Sequence, residues 1–269
     1  MTPSSIVTGS PLRRLRRVNV PGILTMVVLV GLWEAVVRSR VVDFQFLPAP
    51  SAVARGTGRL LTSGELVRNL LHTLQVTLLG WAIAALLGIS LGLLLGLSET
   101  AWRYSMASIE VMRAIPPVSL VPVALLVFGF SIRMELTIIV FVSAWPVLVN
   151  AIHGVRGVQS ELLDVTRTLR LSRLATIRKV VLPAALPSIV VGLRLAMSLS
   201  LVLAVVAEMI GNPSGLGSAL IRAQQALRPE EMFAYVLTIG LLGVALNTAF
   251  RFLSSRALPA VAGDAGNAR

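Results

Sequence analysis

Cysteine is absent from this 269-residue chain, which excludes disulfides, thiolate metal sites and cysteine nucleophiles at once. Lysine is nearly absent too: Lys179 stands alone among 24 basic residues, an arginine bias typical of GC-rich genomes. Charged residues make up only 13% and aromatics 5%, against 55% hydrophobic residues and a mean hydropathy of +0.84. That excludes a soluble globular domain. No Gly-rich phosphate loop of the Walker type occurs, so ATP hydrolysis cannot reside here. No Ser/His/Asp set and no paired carboxylates inside the apolar runs suggest hydrolytic chemistry. The two histidines, His72 and His153, stand far apart at the ends of apolar runs, without partners at metal-ligand spacing. The sequence therefore predicts no metal site, no cofactor and no catalytic residue in this chain. The net charge of +12 is scattered through short segments between apolar runs. Topogenic charge and contact with lipid headgroups explain that pattern, and nucleic-acid binding does not.

What the chain does have is length in its apolar runs. At about 20 residues per crossing there is room for five to seven membrane spans. Hydropathy predicts six, near 20–37, 70–97, 118–130, 136–152, 186–207 and 233–250. The third is short and holds Pro116, Pro117 and Pro122; a start near Met106 with a bend at the Pro-Pro pair accounts for this, since each proline removes an intrahelical donor. Arg13, Arg14, Arg16 and Arg17 ahead of the first run mimic a signal peptide. No small-x-small cleavage site follows, so the run reads as an uncleaved span. Placing the amino terminus inside puts 15 basic residues in cytoplasmic segments and 8 outside, with Arg194 within a span. The expected organisation is a basic cytoplasmic tail (1–19), a transmembrane domain (20–258) and a flexible cytoplasmic tail (259–269).

Between the fourth and fifth spans, residues 154–183 carry six basic residues and their own helical period. Leu162, Val165, Thr166 and Leu169 fall on one helix face. Ser160 is placed to cap that helix, with Glu161 and Asp164 in its first turn and Arg167 and Arg170 later, matching the helix dipole. Leu171 and Ser172 open a second turn, whose apolar face runs through Leu174, Ile177, Val180 and Val181 to Leu182-Pro183. Two short amphipathic helices at the membrane surface are expected.

This segment resembles the signature loop of bacterial binding-protein-dependent ABC importer permeases: Glu-Ala-Ala, three residues, Gly, nine residues, Ile-x-Leu-Pro. Here Asp164-Val165-Thr166, Arg170 and Val180-Val181-Leu182-Pro183 occupy those positions with the spacing intact. Around it, FLPAPSAV (46–53), RAIPPVSLVP (113–122), LPAALPSIVVGLRLA (182–196), VVAEMIG (205–211) and SGLG (214–217) resemble the nitrate/sulfonate/taurine branch of these permeases. The resemblance implies an all-α membrane protein of about six transmembrane helices, the type I ABC importer permease fold, with a cytoplasmic coupling-helix loop. It implies that Glu161, Asp164, Val165, Thr166, Leu169, Arg170, Leu171 and Ser172 meet a separate ATPase, where ATP and Mg are bound. It further implies two ATPase copies, a periplasmic or lipid-anchored solute-binding protein, a homodimer of this permease, and a multi-pass place in the bacterial inner membrane with both termini cytoplasmic. The expected cargo is a small sulfonate-, taurine- or nitrate-like solute; the alternative is a thiamine precursor or another heterocycle. Arg170 departs from the family glycine. Either it takes a left-handed conformation at about 1–2 kcal/mol, or the turn shifts towards Leu171.

Other positions remain. The second span places Gly80, Ala84, Gly88, Gly92 and Gly96 at every fourth residue, a stripe for close helix packing either within the chain or between subunits. Glu34, Arg194 and Glu208 are ionisable residues within or near apolar runs, functional candidates by their depth. Arg194, Glu208, Gly211, Gly215 and Gly217 are assigned to the translocation path or gate, Glu208 as a gate element or a partner for a cation on the binding protein. Gly211, Gly215 and Gly217 supply positive-φ freedom for a re-entrant turn. A gradient-driven secondary transporter would want midplane carboxylates and symmetrically broken helices, and neither is seen. An intramembrane enzyme lacks its catalytic set.

Overall fold

In a computed structural model, residues 20–39 and 46–257 are described; the two basic or polar tails expected from the sequence fall outside them. The first compact unit, residues 1–52, contains helix α1 (Val20–Ser39) and the start of α2 (Pro50–Thr62). Glu34, one of the candidates left open by the sequence, has a structural use here. Its carboxylate accepts from the Ser51 backbone N–H (2.9 Å) and hydroxyl (2.8 Å) and pairs with Arg38 at 2.5 Å. An intramembrane acid thus satisfies an orphan donor in the first turn of α2.

The second unit, residues 53–269, continues α2 and adds α3 (Glu65–Gly96), α4 (Glu99–Arg113), α5 (Pro117–Phe128), α6 (Ile132–Arg156), α7 (Ser160–Thr168), α8 (Arg173–Thr176), α9 (Leu182–Gly211), α10 (Leu216–Gln225) and α11 (Pro229–Ala257). Among the described residues of both units, five helices (α1, α3, α6, the continuous Arg173–Gly211 helix and α11) are long and apolar enough to cross a membrane, or six if α4 and α5, bent by 85°, are counted as one span. The bend falls at the Pro116-Pro117 pair, as expected, with Pro117 opening α5. The other spans run longer than their apolar runs: α3 begins at Glu65 and α6 at Ile132, so polar residues that hydropathy leaves in loops sit on helices.

Helix α6 packs against both α3 and α9, making the centre of the unit. The small-residue stripe of α3 explains how closely. A Cβ on Gly88 would lie 2.9 Å from the Ala144 carbonyl, and one on Gly92 would lie 2.5 Å from Ala151 Cβ and 2.9 Å from the Leu148 carbonyl. The stripe therefore packs within the chain, onto α6. Pro146 serves packing too, its carbonyl accepting from Asn150 Nδ2 (2.8 Å) beside Gly192.

Candidate functional site

Two regions at opposite ends of α3, α6 and α9 carry the candidate residues. The first is the 157–182 segment. Helix α7 starts at Ser160 with Gln159 in the capping position, and the Ser160 hydroxyl turns to Glu161 instead (3.4 Å), so the expected Ser160 cap is not formed. The helix closes in a Schellman motif: Leu171 N–H donates to the Thr166 carbonyl and Arg170 N–H to that of Arg167, both at 3.0 Å. Arg170 itself takes φ 50°, resolving the sequence alternative in favour of a strained non-glycine residue. The predicted apolar face divides. Leu162, Val165 and Leu169 are 43%, 54% and 64% exposed, whereas Thr166 turns inward and Leu163 packs onto the Ala151/Val155/Val181/Ala185/Ile189 core. Thr166 thus holds the helix down and leaves the free face. Glu161, Asp164 and Arg170 are exposed, Asp164 pairing with Arg167 at 2.8 Å.

Ser172 caps the next helix, accepting from Ala175 N–H at 3.3 Å. That helix is not a separate surface element. Through a π-helical stretch, Ile177–Val181, it runs into α9 as one 39-residue helix, Arg173–Gly211.

At the opposite end, α9 stops at Gly211 and the chain turns into α10. Glu208, 1% exposed, anchors that turn. One carboxylate oxygen accepts from the Thr73 hydroxyl (2.7 Å), the other from Gly217 N–H (2.9 Å). Thr73 in turn accepts from Leu216 N–H (2.9 Å), and Asn69 Oδ1 from Gly215 N–H (3.2 Å). Three consecutive N–H groups at the start of α10 are thus satisfied by side chains of α3 and α9. Only Gly215, φ 98°, needs glycine for its conformation. Gly211 and Gly217 are helical and are small for another reason: a Cβ on Gly211 would lie 2.8 Å from Met134 Cε, and one on Gly217 would meet the Val205 carbonyl. Both Glu208 oxygens accept hydrogen bonds within the chain, and the buried carboxylate is turned towards the α10 turn. Arg194 is exposed and bonded to Asn247 Oδ1 of α11 at 3.3 Å, apart from this network.

Sequence reasoning passed over Glu135 and read His72 as partnerless. Glu135 is fully buried at the start of α6. Its carboxylate accepts from the Asn212 amide and faces His72 Nε2 at 3.3 and 3.5 Å. His72, Glu135 and Glu208 each present one ligand atom within 4.8 Å of the others. Two cavities adjoin the cluster, sharing Pro213 and Arg222: one of about 300 Å³ lined also by Asn69, His72 and Arg68, and one of about 350 Å³ lined also by Glu208 and Asn212.

Residues 66–262 match the family described as binding-protein-dependent transport system inner membrane component. The chain is 31% identical over 237 residues to a putative aliphatic sulfonates transport permease of Bacillus subtilis (strain 168), covering 88% of this chain and 86% of that one. It is 30% identical to a nitrate import permease of Leptolyngbya laminosa, covering 96% and 94%. A taurine transport system permease of Escherichia coli (strain K12) is 29% identical, with 87% of each chain covered. In fold, the chain is similar to the inward-facing MetNI methionine ABC transporter, with TM-score 0.62 at 20% identity over 74% of this chain and 97% of that one.

Proposed function

This chain belongs to the family of binding-protein-dependent transport system inner membrane components, and we propose on that premise how it works as the permease subunit of an ATP-driven importer. It is a multi-pass inner-membrane protein of the nitrate/sulfonate/taurine branch. Its 157–182 segment docks a separate ATPase in the cytoplasm, and both termini lie on that side. Two copies of the permease face each other across one path, each engaged by one ATPase, with a solute-binding protein delivering cargo at the α10 end. The cargo is a small solute with an anionic oxygen group, the feature shared by the sulfonates, nitrate, taurine and bicarbonate named for its relatives.

The observation that carries this reading is the exposed Leu162/Val165/Leu169 face on a helix held down from below by Leu163 and Thr166. Apolar side chains fixed outside the membrane spans and uncovered by their own chain are what a partner groove requires. Nucleotide-driven closure would push α7 and, through Ser172, the continuous Arg173–Gly211 helix, whose far end holds Glu208. Because the chain has no native cysteine, Val165→Cys gives a single labelling site. In membranes, a bifunctional thiol reagent should join it to a cysteine in the groove of the cognate ATPase, and a membrane-impermeant maleimide added outside should not reach it. Labelling from outside would overturn the reading. A cargo assay tests the second half: vesicle uptake with the cognate binding protein should be driven by ATP, stop with a non-hydrolysable analogue, and be competed by alkanesulfonate, taurine or nitrate.

A further inference from the structure

We propose that His72, Glu135 and Glu208 form a divalent-cation site of the Zn²⁺ class, tying together the ends of α3, α6 and α9 beside the α10 turn. This goes beyond the transport reading and does not depend on it.

Three observations carry it. The first is charge. Glu135 and Glu208 are 0% and 1% exposed, and among the described residues no lysine or arginine forms an ion pair with either; His72 pairs with Glu135, and Arg222 shares a cavity wall with Glu208 while bonding elsewhere, to the Pro213 carbonyl and Ser218. Two buried carboxylates cost several kcal/mol each unless neutralised by a proton or a cation, and one imidazolium offsets only one of them. A divalent cation bound by neutral His72 closes the balance.

The second is distance. His72 Nε2 lies 3.3 and 3.5 Å from the two Glu135 oxygens, beyond the usual 2.7–3.2 Å of an N–H···O bond. Two ligands at about 2.0–2.1 Å from a tetrahedral ion sit about 3.3–3.4 Å apart. The pair is spaced as ligands, and Glu208 brings a third oxygen within 4.8 Å.

The third is support and access. Metal-binding carboxylates are oriented by further hydrogen bonds; here Thr73 and Gly217 hold Glu208, and Asn212 holds Glu135. Each oxygen so held keeps a second lone pair for an ion. His72 and Glu208 line the two neighbouring cavities, so an ion has a path inward and water has room for the fourth position. One imidazole nitrogen and two carboxylates suit Zn²⁺ or Co²⁺. They are too few oxygens for Ca²⁺, which takes six to eight, and too buried for Mg²⁺, which keeps its waters.

The full-length chain, purified without a histidine tag into lipid nanodiscs, is titrated with Co²⁺ and followed by visible absorption, with Zn²⁺ uptake read by equilibrium dialysis. About one ion per chain is expected, with the intense bands of tetrahedral Co²⁺. Glu135→Gln and Glu208→Gln, near-isosteric replacements, should each weaken binding by at least roughly tenfold, and His153→Ala should not. Absence of saturable Co²⁺ binding to the unsubstituted chain would refute the site, with no variant needed. Binding unchanged in His72→Gln/Glu135→Gln, or displaced by equal Mg²⁺, would refute it equally.

Discussion

At one end of the α3–α6–α9 bundle, three aliphatic side chains stand in the open on α7 while polar Thr166 is buried beneath them; at the other, two carboxylates are buried while apolar Met209 and Ile210 are exposed beside them. The usual partition of polar and apolar groups is inverted at both ends, for opposite reasons. The α7 end leaves apolar area uncovered by its own chain. The α10 end removes acids from solvent where its own chain supplies donors: Gly217 N–H and the Thr73 hydroxyl to Glu208, the Asn212 amide to Glu135. Substitution should therefore act on assembly at the first end and on the chain's own stability at the second.

The sharpest way to break that contrast is Glu208→Ala. Gly217 N–H loses its acceptor, while the Thr73 hydroxyl still donates to the Asn69 carbonyl at 3.1 Å and accepts from Leu216 N–H. With one orphaned buried donor at about 1–3 kcal/mol and a cavity besides, a loss of about 2–4 kcal/mol is expected. Glu161→Ala, on the exposed helix, should stay within about 0.5 kcal/mol. Thermal unfolding of both variants in nanodiscs makes the comparison; equal shifts would erase it. Gly215→Ala comes next. At φ 98° an added Cβ would fall onto the Glu208 carboxylate, so about 2–3 kcal/mol should be lost through strain and displacement together.

How much of this was legible differs between the two ends. The helix, turn and helix of residues 160–176 could be read because their information is local: spacing, charge order and period lie within twenty consecutive residues. Even there the helix wheel placed Thr166 with Leu162, Val165 and Leu169, and only the packing of Leu163 beneath α7 shows that the wheel turns Thr166 inward. The acidic cluster was nearly illegible. Its partners are 63, 135 and 143 residues apart, and Glu135 lies just before an apolar run, where it looks like a loop residue. A signal did exist: Asn69, His72, Glu135 and Glu208 all mark span ends on one side of the predicted topology. The glycine stripe was legible as packing, but its partner, α6, was not, since α6 answers with ordinary Ala144, Val147, Leu148 and Ala151.

Smaller effects probe the coupling end, where the chain's own stability should hardly notice. Ser172→Ala removes the one side-chain cap at the start of the Arg173–Gly211 helix and should cost about 1 kcal/mol. The loss should appear as faster amide hydrogen exchange at residues 173–176, with the rest of α9 unchanged. Uniformly faster exchange through α9 would mean that the π-helical stretch does not isolate the cap from the span.

Arg170→Gly is the mildest test and the only one expected to stabilise. Arg170 closes the Schellman turn at φ 50°, a conformation costing a side chain about 1–2 kcal/mol that glycine adopts freely. Glycine also gives the unfolded chain more freedom, worth about 0.4–1 kcal/mol in the opposite direction. The net expectation is a gain of up to about 1 kcal/mol, read as a small rise in Tm. Because the Arg170 side chain is exposed and without an ion pair among the described residues, no lost contact should mask the gain. If Tm instead falls, the arginine side chain is held by an interaction on the α7 surface, and that end is less open than its exposed leucines indicate.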